Sequence, residues 1–152
     1  MIRLLNAYDE RGEPIPGSIE HFWTLLAERQ PNESISHQKM PAPEAHEAFV
    51  RSRPYCEWYI IATPDGDRAV KWVGAIYATH QNEIGIAIRK QHQRRGYATH
   101  AIAVFMRDHR PLPPIPGKRS GRFIANVAPE NETSRRLFER LGGTLIQVTY
   151  EL

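Results

Sequence analysis

The sequence predicts an α+β fold in which an antiparallel β-meander carries helices on either side. Three observations predict it. Strand-like apolar runs occupy residues 58–63, 70–79 and 83–88, and the connections between them are too short for a crossover, so neighbouring strands must run antiparallel. Helix-period patterns lie before and after that cluster in the chain, which puts helices on the flanks of the sheet. The 152 residues, 41% of them hydrophobic, fit one domain over residues 1–152 with an ordinary core.

Each element has a local reason. Residues 2–5 read as a first strand, followed by a turn-rich stretch with Gly12, Pro14, Pro16 and Gly17. Ser18 has the chemistry of an N-cap for a helix carrying Phe22, Leu25 and Leu26 on one side. A polar loop over residues 31–39 leads through Pro41-Ala42-Pro43 into a helix over residues 44–51, which Pro54 stops. Residues 58–63 are β-rich, Pro64-Asp65-Gly66 reverses the chain, and residues 70–79 form a long partner strand. Gln81-Asn82 is a tight connection into the strand 83–88. A helix runs from Gly96 to about residue 108. Pro111, Pro113, Pro114 and Pro116 then forbid helix and central strand, making residues 110–117 a stiff surface connector to a strand over 122–126. A helix over 132–141, a Gly142-Gly143 C-cap and a strand over 145–150 close the chain, and that last strand offers an edge for pairing across a homodimer.

The segment richest in chemistry is Gln93-Arg94-Arg95-Gly96-Tyr97-Ala98, placed between the strand with Ile84, Ile86 and Ile88 and the helix with Ala101, Ile102, Val104 and Phe105. A glycine at a strand-to-helix turn lets the backbone approach a ligand closely. The first amides of the helix are unpaired and carry the positive end of its dipole, which suits a phosphate. Two arginines in the same turn add fixed positive charge. About 35 residues further on the chain reads Asn126-Val127-Ala128-Pro129-Glu130-Asn131, then a short amphipathic segment ending Leu141-Gly142-Gly143.

The Q-x-x-G-x-A spacing in the order strand, loop, helix resembles the acyl-CoA pyrophosphate loop of the GNAT superfamily of N-acetyltransferases. The Asn-x-x-x-x-Asn segment and its Leu-Gly helix end are similar to that family's second signature, and the element order β-α-α-β-β-β-α-β-α-β extends the resemblance over nearly the whole chain. The resemblance implies a GNAT fold, with a mixed, mostly antiparallel central sheet flanked by helices and splayed central strands forming the acyl-CoA cleft. It implies an N-acetyltransferase that moves an acetyl group from acetyl-CoA to a primary amine of a small molecule by direct attack in a ternary complex. A protein N-terminus or lysine is the alternative acceptor, and a non-catalytic acyl-CoA-binding module the alternative role. By the same resemblance Ala87, Ile88 and Arg89 pair their backbone with the pantetheine arm. Gln93, Arg94, Arg95, Gly96, Tyr97 and Ala98 face the pyrophosphate, and Thr99 adds a hydroxyl. Asn126 and Asn131 line the cleft, although both residues equally suit a turn or N-cap.

Attack by an amine on a thioester requires a group that accepts the amine's proton. Glu83 matches a position where some family members hold a catalytic glutamate; its plain alternative is an exposed charge beside a hairpin turn, and His80 lies three residues earlier. The family's usual tyrosine acid for the leaving thiolate is replaced here by Phe138, which cannot donate a proton, leaving Ser134, Tyr97, a water or nothing, with Ser134 preferred. A thiol with a pKa of about 8.5 is a tolerable leaving group without one. Acceptor choice falls to residues 18–55, where Ser36-His37-Gln38-Lys39-Met40-Pro41 and the aromatics Tyr55, Trp58 and Tyr77 are the candidate lining, core packing being the commoner role for the aromatics.

Composition narrows the rest. A formal charge of +3 accommodates an anionic ligand, but no stripe of basic and aromatic residues marks a nucleic-acid surface. Arg135, Arg136 and Arg140 read as the wet face of an amphipathic helix. The single cysteine, Cys56, excludes an internal disulfide and, with no His cluster near it, leaves no metal site; it reads as a small buried apolar group. No apolar run approaches the ~20 residues of a bilayer span, and the N-terminus lacks a signal-peptide pattern, so the expected compartment is the cytoplasm.

Overall fold

The computed structural model describes residues 1–29 and 39–152. The loop expected over residues 31–39 therefore lies outside the described residues up to position 38, as do Ser36, His37 and Gln38 of the expected acceptor lining. The elements are β1 (Arg3–Asn6), α1 (Ser18–Ala27), α2 (Pro43–Arg51), β2 (Glu57–Asp65), β3 (Ala69–Ala78), β4 (Ile84–Ile88), α3 (Tyr97–Asp108) and α4 (Glu132–Arg140). The four strands form one antiparallel sheet in the order β1-β2-β3-β4.

Side-chain alternation along the strands sorts the core into two layers. On one face Ile61, Val73, Ile76, Ala78 and Ile84 meet Ala101, Ile102 and Phe105 of α3 and Leu137 of α4. On the other, Trp58, Ile60 and Ala75 meet Phe22 and Leu25 of α1 and Val50 of α2. A slip in register between Ile61 and Ala62 bends the β2–β3 pair without breaking it. Trp58 is buried and stacked on Phe22 with ring centroids 4.1 Å apart, a core role.

Four local expectations are corrected. Residues 122–126 do not form a strand: Ile124 makes a single parallel bridge beside Glu83, its amide bonding Asn82 O at 3.0 Å and its carbonyl accepting from Ile84 N at 2.7 Å. Residues 145–150 have no ladder partner among the described residues and lie exposed, Leu145 and Tyr150 at 82% each, so their β-propensity finds nothing to pair with. Ser18 is not a cap; Gly17, at φ 85°, turns the chain into α1, and Ser18 is the first helical residue, buried with its Oγ unpartnered. Cys56 is half-buried rather than in the core.

The β3–β4 turn is held from inside. Asn82 is 1% exposed at φ 64°, a left-handed conformation that asparagine tolerates. Its Nδ2 donates to Leu112 O at 3.0 Å and Ser120 O at 2.8 Å, and its Oδ1 accepts from Leu112 N at 2.7 Å. The proline-rich connector is thus pegged at both ends to the residue preceding Glu83.

Candidate active site

The site grows from the free edge of β4. Arg89 N bonds Val73 O and Thr79 N bonds Glu83 O, so the odd-numbered residues of this stretch turn their backbone toward β3. Ile84, Ile86 and Ile88 turn theirs outward. Ile84 uses its outward amide on Ile124, and Ile88 O accepts from Gln93 Nε2 at 3.1 Å. Pairing with the 122–131 segment goes no further than the Ile124 bridge, so beside Ile86 and Ile88 the edge of β4 carries backbone donors and acceptors with no strand laid against them among the described residues. Of the expected backbone group, Ile88 faces this edge, while the amides of Ala87 and Arg89 face β3.

Past β4 the chain makes a 3-10 turn over Lys90–His92, passes Arg94 at φ 63° and reaches Gly96 at φ 79°, which opens α3. No side chain caps this helix, so its first-turn amides at Tyr97, Ala98 and Thr99 keep no intrahelical partner. Among the described residues nothing lies within 4 Å of where a Cβ on Gly96 would stand, so they leave space above the helix start. Arg94 and Arg95 are exposed beside it. The local field is positive: His92 is held below its ordinary value first by desolvation and then by Lys71, Arg95 and Arg89. An uncapped helix N-terminus, a glycine and a ring of cations together suit a phosphate group.

The guanidinium of Arg89 is engaged by Glu28, just past the end of α1. Arg89 Nε lies 3.1 Å from Glu28 Oε1, and Glu28 Oε2 accepts from Lys90 N at 2.8 Å. Sequence reasoning missed Glu28, because a glutamate at the end of an amphipathic helix looks like any solvated charge.

At the other end of β4, Asn126 Nδ2 donates to Glu83 Oε2 at 2.6 Å, and Glu83 N donates to Thr79 Oγ1 at 3.1 Å. Glu83 also lines an open cleft of about 720 Å³ bounded by the proline-rich connector and by Ile124 and Ile146. Asn131 N-caps α4, its Oδ1 accepting from Ser134 N at 3.2 Å. Ser134 thus sits in the first turn of α4, and Phe138 one turn on packs into the α3-side core. On the opposite face Tyr55 and Tyr77 stack with centroids 3.9 Å apart and planes within 7°. Among the described residues no group of three or more His, Cys, Asp or Glu side chains is placed to hold a metal ion, and no helix is long and apolar enough to cross a membrane.

Comparison with known proteins places this geometry. The family model for the acetyltransferase (GNAT) domain matches residues 15–144. Among solved structures, a GnaT-family acetyltransferase from Bordetella pertussis superimposes with a TM-score of 0.67 at 18% identity, covering 99% of this chain and 89% of that one. The aminoglycoside enzyme AAC(6')-Iy, in complex with the bisubstrate analogue CoA-S-monomethyl-acetylneamine, gives 0.59 at 19% identity, covering 100% and 97%. The spermidine/spermine N-acetyltransferase SpeG from Vibrio cholerae gives 0.53 at 16%, covering 93% and 76%. No curated protein gives a significant sequence match. With the family model spanning most of the chain, and with an α+β fold that matches, the chain belongs to the GNAT acetyltransferase family and is an acyltransferase.

Proposed function

We propose that the protein transfers the acetyl group of acetyl-CoA to a primary amine of a small molecule, by direct attack in a ternary complex. The observation that carries this reading is the continuous run of unpaired donors from the β4 edge at Ile86 and Ile88 to the uncapped start of α3 at Gly96, with Arg94 and Arg95 beside it. The backbone of Ile88 and its neighbours would hold the pantetheine arm as an added strand would. The first amides of α3, the loop from Gln93 to Ala98 and the Thr99 hydroxyl would hold the pyrophosphate. Arg89 contributes charge from behind, since its guanidinium is tied to Glu28.

In this reading Glu83 accepts the proton that the amine loses, directly or through a water, and Asn126 orients its carboxylate by the 2.6 Å bond. An outward amide on β4, such as that of Ile86, stabilises the oxyanion of the tetrahedral intermediate. Holding the amine against the thioester supplies most of the rate. Asn131 contributes by fixing the start of α4 beside the cleft. A small-molecule acceptor is favoured because two of the structural neighbours carry names of small-amine acetyltransferases. The cytoplasm, where acetyl-CoA is available, is the expected setting, and the proposed steps call on no metal.

The test is CoA release with acetyl-CoA and a panel of polyamines, aminoglycosides, amino acids and N-terminal peptides. Turnover with small amines supports the reading; turnover confined to peptides replaces the acceptor class, and saturable acetyl-CoA binding with no turnover on any amine contradicts it.

A further inference from the structure

The structure supplies a phenol on the sheet face opposite the one into which Phe138 packs. Gly85 pairs with Tyr77 across the β3–β4 ladder, and the tip of the Tyr77 ring lies over Gly85 so closely that a Cβ there would fall on the Cζ and Oη atoms. Any other residue at 85 would displace the ring, so the missing side chain is what lets the phenol reach over β4. Alternation puts residues 83, 85 and 87 on one face, so the Tyr77 hydroxyl stands over Gly85, between the positions of Glu83 and Ala87 along the strand whose outer edge is open. Tyr55 backs the ring by parallel stacking at 3.9 Å. Burial, and then the adjoining Tyr77 phenol, hold the Tyr55 proton more tightly than in a free phenol.

We propose that Tyr77 is a catalytic residue that donates its hydroxyl proton to the leaving sulfur. As the amine nitrogen bonds to the thioester carbon and the C–S bond breaks, the electron pair goes to sulfur, which takes the Tyr77 proton to leave as the CoA thiol. The proton lost by the amine passes to Glu83 and restores the phenol through water, so the residues end as they began. The proposal rests on the acyl-CoA cleft reading above. It assigns the acid to Tyr77 on β3 rather than to Ser134 on α4, whose helix turns Phe138 into the opposite core.

The experiment compares wild type, Tyr77→Phe and Ser134→Ala by steady-state kinetics against pH, with acetyl-CoA affinity from direct titration. Tyr77→Phe keeps the stacked ring and is expected to lower kcat about 100-fold, the scale of one lost proton donor, with acetyl-CoA affinity changed less than about threefold. Unchanged kcat at every pH in Tyr77→Phe, or a loss confined to Ser134→Ala, would overturn the assignment while leaving the cleft intact. Failure of wild type to bind acetyl-CoA would overturn the cleft and this assignment together.

Discussion

Asn126 donates to Glu83 across the gap between β4 and the segment that follows the proline-rich connector, Nδ2 to Oε2 at 2.6 Å. This bond joins the start of β4 to the chain beyond Ile124, where β pairing has ended. In the proposed mechanism it fixes the carboxylate that the amine meets. Glu83→Gln keeps the shape and removes the base, so kcat should fall about 10²–10³-fold with acetyl-CoA affinity unchanged. Asn126→Ala, which frees the carboxylate without removing it, should cost about tenfold. Single-turnover assays with direct cofactor titration separate the two effects.

The Glu28–Arg89 pair ties the end of α1 to the turn after β4, which opens the proposed CoA loop. Both side chains are about a quarter exposed, so the pair is screened only in part. Glu28→Gln retains an acceptor for Lys90 N but loses the charge. Its expected effect is a KM for acetyl-CoA raised about threefold, with kcat within about twofold and a melting temperature lower by a few degrees, at about 1 kcal/mol. Kinetics and scanning calorimetry check both numbers.

Asn82→Ala removes three part-buried hydrogen bonds to backbone groups at Leu112 and Ser120 and places alanine at φ 64°. Unpaired buried groups cost about 1–3 kcal/mol each, and partial hydration of the connector recovers some of that. A net loss of about 3 kcal/mol should lower Tm by about 6–12 °C, read by thermal melting.

His21 sets an acid limit on stability. It is 6% exposed, its Nε2 lies 2.9 Å from Gly74 O, and desolvation holds it below its ordinary value despite that bond, with nearby Arg89 acting in the same direction. The folded chain therefore resists taking up a proton that the unfolded chain accepts. Its contribution is intact above the unfolded pKa of about 6.5 and is lost as pH falls through the lower folded value. Tm should drop between about pH 7 and pH 5, and His21→Gln should flatten that drop in a melting series.

The sheet meander, the helices and the glycine turn that opens α3 are legible in the sequence because each rests on local chemistry: short turns, apolar periodicity, and a glycine opening a helix. The stretches at 122–126 and 145–150 are not, since β-propensity describes a residue's fit to a sheet and only tertiary contacts provide the partner strand. Ser18 misled because Gly17 supplies the turn that a capping serine would otherwise stabilise. Asn126 and Asn131 had the same two readings in sequence. In space they separate, one bonded to a carboxylate at the cleft and the other capping a helix. Glu28 and the hydroxyl of Tyr77 depend on contacts across 61 residues and across a strand pair, which no window of sequence contains.

The central claim is that the β4 edge and the α3 start hold an acyl-CoA, and isothermal titration of acetyl-CoA into wild type and into the Arg94→Glu/Arg95→Glu double variant tests it most directly. Both arginines are exposed, so the variant should melt within about 2 °C of wild type. Saturable binding by wild type, weakened at least about tenfold in the variant and declining with added salt, is the predicted result. Equal binding by both proteins, or none by wild type, would contradict the placement of the cofactor.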